Sequence, residues 1–169
     1  MKRVSRVLKT VAPMAVVLGF ASTASAQSSA NANMAVSATV VSNCTISTAA
    51  LAFGNYDPVG AHAATTLDGT GTVTITCTQG AASTIGLDLG GNASGSTRRM
   101  TNGSDFLTYE LYQEATHTTV WGNAAPDLLT PPAAPSYAAR NFTVYGQVAA
   151  GQTVSTGAYA DTVLATVNF

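Results

Sequence analysis

From residue 34 onward, apolar side chains fall at every second position in short runs broken by turn residues. Met34, Val36, Ala38 and Val40 alternate with Ala35, Ser37 and Thr39. Val73, Ile75 and Cys77 alternate with threonines, and Ile85, Leu87 and Leu89 enclose Gly86 and Asp88. Leu107, Tyr109 and Leu111 form another run, as do Phe142, Val144 and Val148, with Gly146 at an intervening inward position. Val163, Ala165, Val167 and Phe169 complete the series. A period of two puts one face in the core and the other in water, so each run predicts a β-strand. Asn55-Tyr56-Asp57-Pro58, Gly90-Gly91-Asn92, Asn102-Gly103 and Gly122-Asn123 are breakers between them. Asn102-Gly103 lies between Arg99-Met100 and Phe106-Leu107, which predicts a hairpin. No segment beyond residue 26 sustains a 3.6-residue period. The expectation is an all-β sandwich with an irregular proline-rich loop at 126–137.

The first 26 residues follow a different rule. Lys2, Arg3, Arg6 and Lys9 precede a short apolar stretch at 11–20, and Ala24-Ser25-Ala26 supplies a small-x-small site. Residues 1–26 therefore read as a signal peptide cleaved between Ala26 and Gln27. Cleavage removes four of the seven basic residues. Arg98, Arg99 and Arg140 then face eight acids, a formal charge of −5 with no lysine. Only 9% of the chain is charged, too little basic surface for nucleic acid. No run of about 20 apolar residues follows the signal, so no membrane-spanning helix is expected in the mature chain.

Export decides the cysteines. Cys44 and Cys77 are the only two, and an exported chain meets an oxidising compartment. A bridge between them would close a loop of about 34 residues and contribute roughly 3–4 kcal/mol through loop-closure entropy. Catalytic chemistry finds no support. His62 and His117 lack metal-ligand spacing to one another or to cysteine. No serine sits in a Gly-x-Ser-x-Gly elbow, and nothing selects an acid pair from eight scattered carboxylates. No catalytic, cofactor-binding or metal-ligating residue is nominated, and the chain is read as not an enzyme. Arg98 and Arg99 read as solvated arginines at a strand start, Trp121 as an interior residue, and Tyr109, Tyr112 and Tyr145 as packing residues. The Asn-x-Ser/Thr matches at Asn43, Asn92, Asn102 and Asn141 read as turn or strand residues.

Both ends of the mature chain are alternating strands. The first follows a flexible polar leader at 27–33, so it can pair within its own domain or reach another. Ser42-Asn43-Cys44-Thr45-Ile46 follows it, then Leu51-Ala52-Phe53-Gly54-Asn55-Tyr56-Asp57-Pro58 and Gly71-Thr72-Val73-Thr74-Ile75-Thr76-Cys77-Thr78. Further on stand Arg99-Met100, Leu107-Thr108-Tyr109-Glu110-Leu111-Tyr112 and Val120-Trp121-Gly122. The end carries Phe142-Thr143-Val144-Tyr145-Gly146-Gln147-Val148, Gly151-Gln152 and Tyr159-Ala160-Asp161-Thr162-Val163. In this order the motifs resemble the spore coat U domain family, which includes Csu-type pilins of the archaic chaperone–usher pathway. The proline-rich loop departs from the pattern.

The resemblance implies an incomplete immunoglobulin-like sandwich that lacks its final strand. Residues 27–41 would be a flexible leader and donor strand, with Met34, Val36, Ala38 and Val40 as the inserted side chains, and residues 42–169 the sandwich domain. Val163, Ala165, Val167 and Phe169 would form the strand that contacts a periplasmic chaperone. Implied partners are other pilin subunits, that chaperone and an outer-membrane usher, with export through the periplasm to the cell surface. No cofactor is implied. The implied function is a pilus shaft subunit supporting adhesion or biofilm formation. The alternatives are a non-polymerising coat or surface-layer protein of the same fold, or a carbohydrate-binding adhesin module.

Overall fold

The computed structural model describes residues 26–169. Residues 1–25, which carry nearly all of the expected signal peptide, lie outside the described residues. The chain divides into two units, 1–38 and 39–169. The described part of the first, residues 26–38, has no regular secondary structure, and its side chains are exposed.

The second unit is all β among the described residues. Its strands are β1 (Cys44–Ala49), β2 (Leu67–Cys77), β3 (Thr84–Leu87), β4 (Arg98–Thr101), β5 (Phe106–Tyr112), β6 (Arg140–Val148) and β7 (Ala165–Asn168). Five of them form one antiparallel sheet in the order β1-β2-β6-β5-β4, and β3 pairs with β7 in a second, two-stranded sheet. The expected hairpin is β4–β5, turning at Asn102-Gly103 with Gly103 at φ 93°. Cys44 and Cys77 are cross-strand partners in the β1–β2 register and are joined as a disulfide.

Alternation fixes the inner face of the large sheet. Val73, Ile75, Leu107, Leu111, Val144 and Val148 are buried, while the intervening threonines face outward. β2 begins six residues before the run read from sequence, because Gly69 and Gly71 occupy inward positions rather than a turn. They are small for a reason. After Ala49 the chain leaves the large sheet and lays Leu51 and Phe53 over Gly69, Gly71 and Gly146. A Cβ at Gly146 would stand 2.7 Å from Leu51 Cδ1 and 2.8 Å from Phe53 Cζ.

Trp121 is fully buried and donates Nε1–H to the Ile85 carbonyl at 2.9 Å. Tyr109 lies in the core. Tyr112 and Tyr145 face each other across β5 and β6, with the His117 ring 5.0 Å and 6.5 Å from them.

Arg98 overturns the solvated reading. It is 0% exposed. Its guanidinium donates to the Asp88 carbonyl (2.9 Å) and to the Leu87 and Trp121 carbonyls (both 2.8 Å), and it pairs with Glu110. A buried cation is tolerable only when it is paired and hydrogen-bonded, and these four partners take four of its five N–H groups. Arg99 stays half-buried with its guanidinium 4.0 Å from the Phe106 ring centroid.

The proline-rich loop also finds its place. Ile85 and Leu129 exchange backbone hydrogen bonds of 2.8 and 3.0 Å, and the Leu87 N–H donates to the Gly122 carbonyl at 3.0 Å. The loop and the residues just before it, from Gly122 to Leu129, thus run along the outer edge of β3 in place of a strand.

Candidate functional site

One large cleft, about 1030 Å³, opens in the second unit. One lip is the segment 48–58, and the other is 154–165. The floor is the inner face of the large sheet, including Val73, Tyr109, Leu111, Val144 and Val148.

The first lip is pinned at several points. The Phe53 ring packs edge-on against Tyr109, with centroids 6.0 Å apart. The Tyr56 hydroxyl donates to the Ala149 carbonyl (2.9 Å) and accepts the Gln152 N–H (2.8 Å). Gln152 in turn holds Thr108 through both backbone groups and the side-chain hydroxyl. Tyr56 stacks on His62 at 5.3 Å, and the His62 Nδ1 accepts the Asp57 N–H at 2.9 Å.

The second lip is an edge strand in all but hydrogen bonding. Tyr159, Asp161, Val163, Ala165 and Val167 alternate with exposed neighbours, and each is half-buried. Val73, Ile75 and Val148 at inward positions of the large sheet are, by contrast, fully buried. The even-numbered residues are tied to one side. Ala160 exchanges hydrogen bonds with Thr101, the Thr162 carbonyl accepts the Gly91 N–H, and Leu164 bonds to Asp88 through both N–H and C=O. The N–H and C=O of Asp161 and Val163, which alternate to the opposite side, make no hydrogen bond among the described residues. Unpaired edge groups of this kind are a template for a further strand.

One polar node stands in this apolar setting. Asp161 Oδ1 accepts the Asn92 N–H (3.2 Å) and Nδ2–H (2.9 Å), and Oδ2 accepts the Tyr109 hydroxyl (2.7 Å). Burial first, and the adjoining Asp161 carboxylate second, push the Tyr109 phenol well above its ordinary pKa. Gly90 (φ 82°) passes so close that a Cβ there would lie 2.0 Å from Asp161 Oδ2. Small-molecule pockets of about 300–1,000 Å³ present a few free polar groups to orient a ligand. Here the carboxylate and phenol at the floor are already bonded to each other. No group of His, Cys, Asp and Glu among the described residues is placed to hold a metal ion.

Sequence-nominated residues distribute as follows. Val163, Ala165 and Val167 line or adjoin the second lip, and Phe169 is 56% exposed at the chain end. Met34, Val36 and Val40 are 87%, 87% and 83% exposed, Ala38 is exposed, and none of the four is in a strand. Ala26 and Gln27 are exposed and in no regular element. Asp161, Asn92 and Gly90 were not nominated as a group. The available signal was an acid at the inward phase of an otherwise apolar alternation from Tyr159 to Ala165.

The solved chaperone–tip adhesion subunit pre-assembly complex from archaic chaperone–usher Csu pili of Acinetobacter baumannii contains a chain of similar fold. The TM-score is 0.58 at 20% identity, over 78% of this chain and 41% of that one. This chain thus spans less than half of that solved chain, and the likeness is one of fold. Protein U of Myxococcus xanthus is 38% identical over 154 residues, which cover 83% of this chain and 85% of that protein. The Spore Coat Protein U domain matches residues 30–166. With a match of that extent and a relative of that identity, the chain belongs to the Spore Coat Protein U domain family.

Proposed function

We propose that this chain is a structural subunit of a surface fibre, assembled by insertion of one subunit's N-terminal strand into the cleft of the next. Proteins of this family and of the pilin fold are structural subunits, not enzymes. The observation that carries the assembly reading is the cleft itself, an apolar floor beside an edge whose backbone groups at Asp161 and Val163 are bare. A strand laid there would pair its backbone with that edge and its side chains with the floor.

The donor is the segment at 34–40. Its exposed Met34, Val36, Ala38 and Val40 supply apolar groups at the strand period. A one-residue slip would turn Ser37 and Thr39 inward, so alternation fixes the register. The association is head-to-tail and does not close on itself, so it grows as a fibre. Residues 1–26 act as the export signal, 27–41 as leader and donor strand, and 42–169 as the acceptor domain. Before assembly a periplasmic chaperone occupies the same cleft by strand addition and zippers along the strand of Val163, Ala165, Val167 and Phe169. An outer-membrane usher then exchanges that strand for the next subunit's donor, on the way to the cell surface. No helix among the described residues is long and apolar enough to cross a membrane. The fibre serves adhesion or biofilm formation.

Native material heated mildly in detergent is expected to run as a ladder, since each filled cleft releases its strand slowly. Val36→Asp should abolish the ladder while leaving the monomer folded, because Val36 is 87% exposed in the single chain. A sharp monomer band from the unsubstituted protein under all conditions would favour a coat protein that does not polymerise.

A further inference from the structure

An acid on the inward phase of the second lip is the least expected residue in the cleft. Tyr159, Val163, Ala165 and Val167 share that phase, and each contributes apolar surface. An inward-pointing charge on an edge strand costs hydrophobic contact, and proteins use the device to keep an edge from pairing indiscriminately. Here the charge is also a fastening. Its two oxygens hold two different parts of the domain, the 88–92 loop through Asn92 and the cleft floor through Tyr109. Gly90 has no room for a side chain against it, so the loop is fitted closely around the carboxylate.

We propose that Asp161 is a positioning residue that holds the empty cleft open and its edge aligned for an incoming strand. This rests on the strand-insertion reading above. Two facts make a latch necessary. The inward side chains of the lip are only half-buried, so the apolar effect favours collapse of the lip onto the floor. The bare groups of Asp161 and Val163 serve an incoming strand only if they stay in line with each other. Hydrogen bonds to the neighbouring even-numbered residues hold the lip from its far side. The Tyr109–Asp161 bond holds it from the cleft side, at a fixed height above the floor. Without that bond the lip must be reordered at the moment of insertion, and that ordering opposes association.

The test uses the full mature chain, isolated as monomer, and a fluorescent synthetic peptide of residues 27–41. The readouts are the rate at which label enters a detergent-resistant complex and the melting temperature of the filled complex. Tyr109→Phe, which deletes the bond, is expected to slow uptake by about tenfold, and Asp161→Asn, which exchanges a charge-assisted bond for a neutral one, by several-fold. Filled complexes should melt within a few degrees of wild type. The effects of the two substitutions should be less than additive when combined, since both act on the same link. Wild-type uptake rates in both single variants would overturn the latch and leave strand insertion standing. Slower uptake matched by an equal fall in the melting temperature of the filled complex would also overturn it, by reducing Asp161 to a general stabiliser. Failure of the wild-type chain to take up the peptide would overturn strand insertion and the latch together. Should Asp161→Asn not accumulate, Tyr109→Phe decides alone, because it keeps the ring in the core.

Discussion

The two edges of the small β3–β7 sheet are treated in opposite ways. Beyond β3 the chain lays down an irregular loop that pairs backbone groups with Ile85 and Leu87 through Leu129 and Gly122. The Gly86 position is so closely covered that a Cβ would stand 2.9 Å from Asn123 Cα. On the segment leading into β7, at Asp161 and Val163, the corresponding groups are bare among the described residues. A loop suffices to cover an edge, as the β3 side demonstrates. What distinguishes the open side is therefore the lack of a backbone partner at Asp161 and Val163, since apart from Asp161 its inward side chains are as apolar as those on the covered side.

The largest expected effect comes from breaking the covered side. Arg98 binds the carbonyls of Leu87 and Asp88 at the end of β3 and of Trp121 in the covering loop. Arg98→Ala leaves three carbonyls without a donor and Glu110 without its cation. Removing one member of a buried pair costs about 3–5 kcal/mol, and the partial exposure of Glu110 (28%) places this case near the lower end. Urea unfolding should show the loss. Amide exchange should accelerate at Ile85 and Leu87, making the covered edge behave like the open one.

Much of this contrast was written in the alternation of side chains, and the part that was not has a physical reason. Of the six runs with a clear period of two, five became β2, β3, β5, β6 and β7, and Asn102-Gly103 marked the β4–β5 hairpin. The run at 34–40 forms no strand in the single chain, where it has no partner to pair with. β1 escaped because only Ile46 follows Cys44 as an inward apolar residue before the chain leaves the sheet. The early half of β2 escaped because Gly69 and Gly71 look like turn residues. Their smallness answers to Leu51 and Phe53, which lie well away in sequence. Arg98 escaped for the same kind of reason: three carbonyls from distant segments converge on it, and no local pattern records that. At the cleft, the apolar residues of the second lip were legible by phase. The Asp161 node was not, because its partners Asn92 and Tyr109 stand 69 and 52 residues away.

A smaller effect is expected from disturbing the first lip. Gly146→Val puts a branched side chain where Leu51 and Phe53 already sit. Overpacking of this kind costs about 1–3 kcal/mol, read as a lower melting temperature. Ser or Ala at the same site should cost less than Val. The order of melting temperatures should follow side-chain volume, since the contact is with flexible side chains. A fall that ignores volume would show that backbone conformation, rather than the packing of the lip, governs the site.

The smallest effect is the most discriminating, because it depends on whether the open side is filled. Ile85 is 0% exposed against the covered edge, and Ile85→Ala should cost about 2–5 kcal/mol with or without a bound strand. Val163 is half-buried in the empty cleft. Val163→Ala removes two carbon groups worth about 0.8 kcal/mol each when fully buried, and half burial roughly halves the sum in the single chain. Filling the cleft with the peptide of residues 27–41 should bury Val163 and restore the full cost, about twice the unfilled value. Unfolding of both variants with and without peptide checks this. An equal cost for Val163→Ala in both states would mean that the inserted strand does not reach the second lip, and the bare edge at Asp161 and Val163 would then need another occupant.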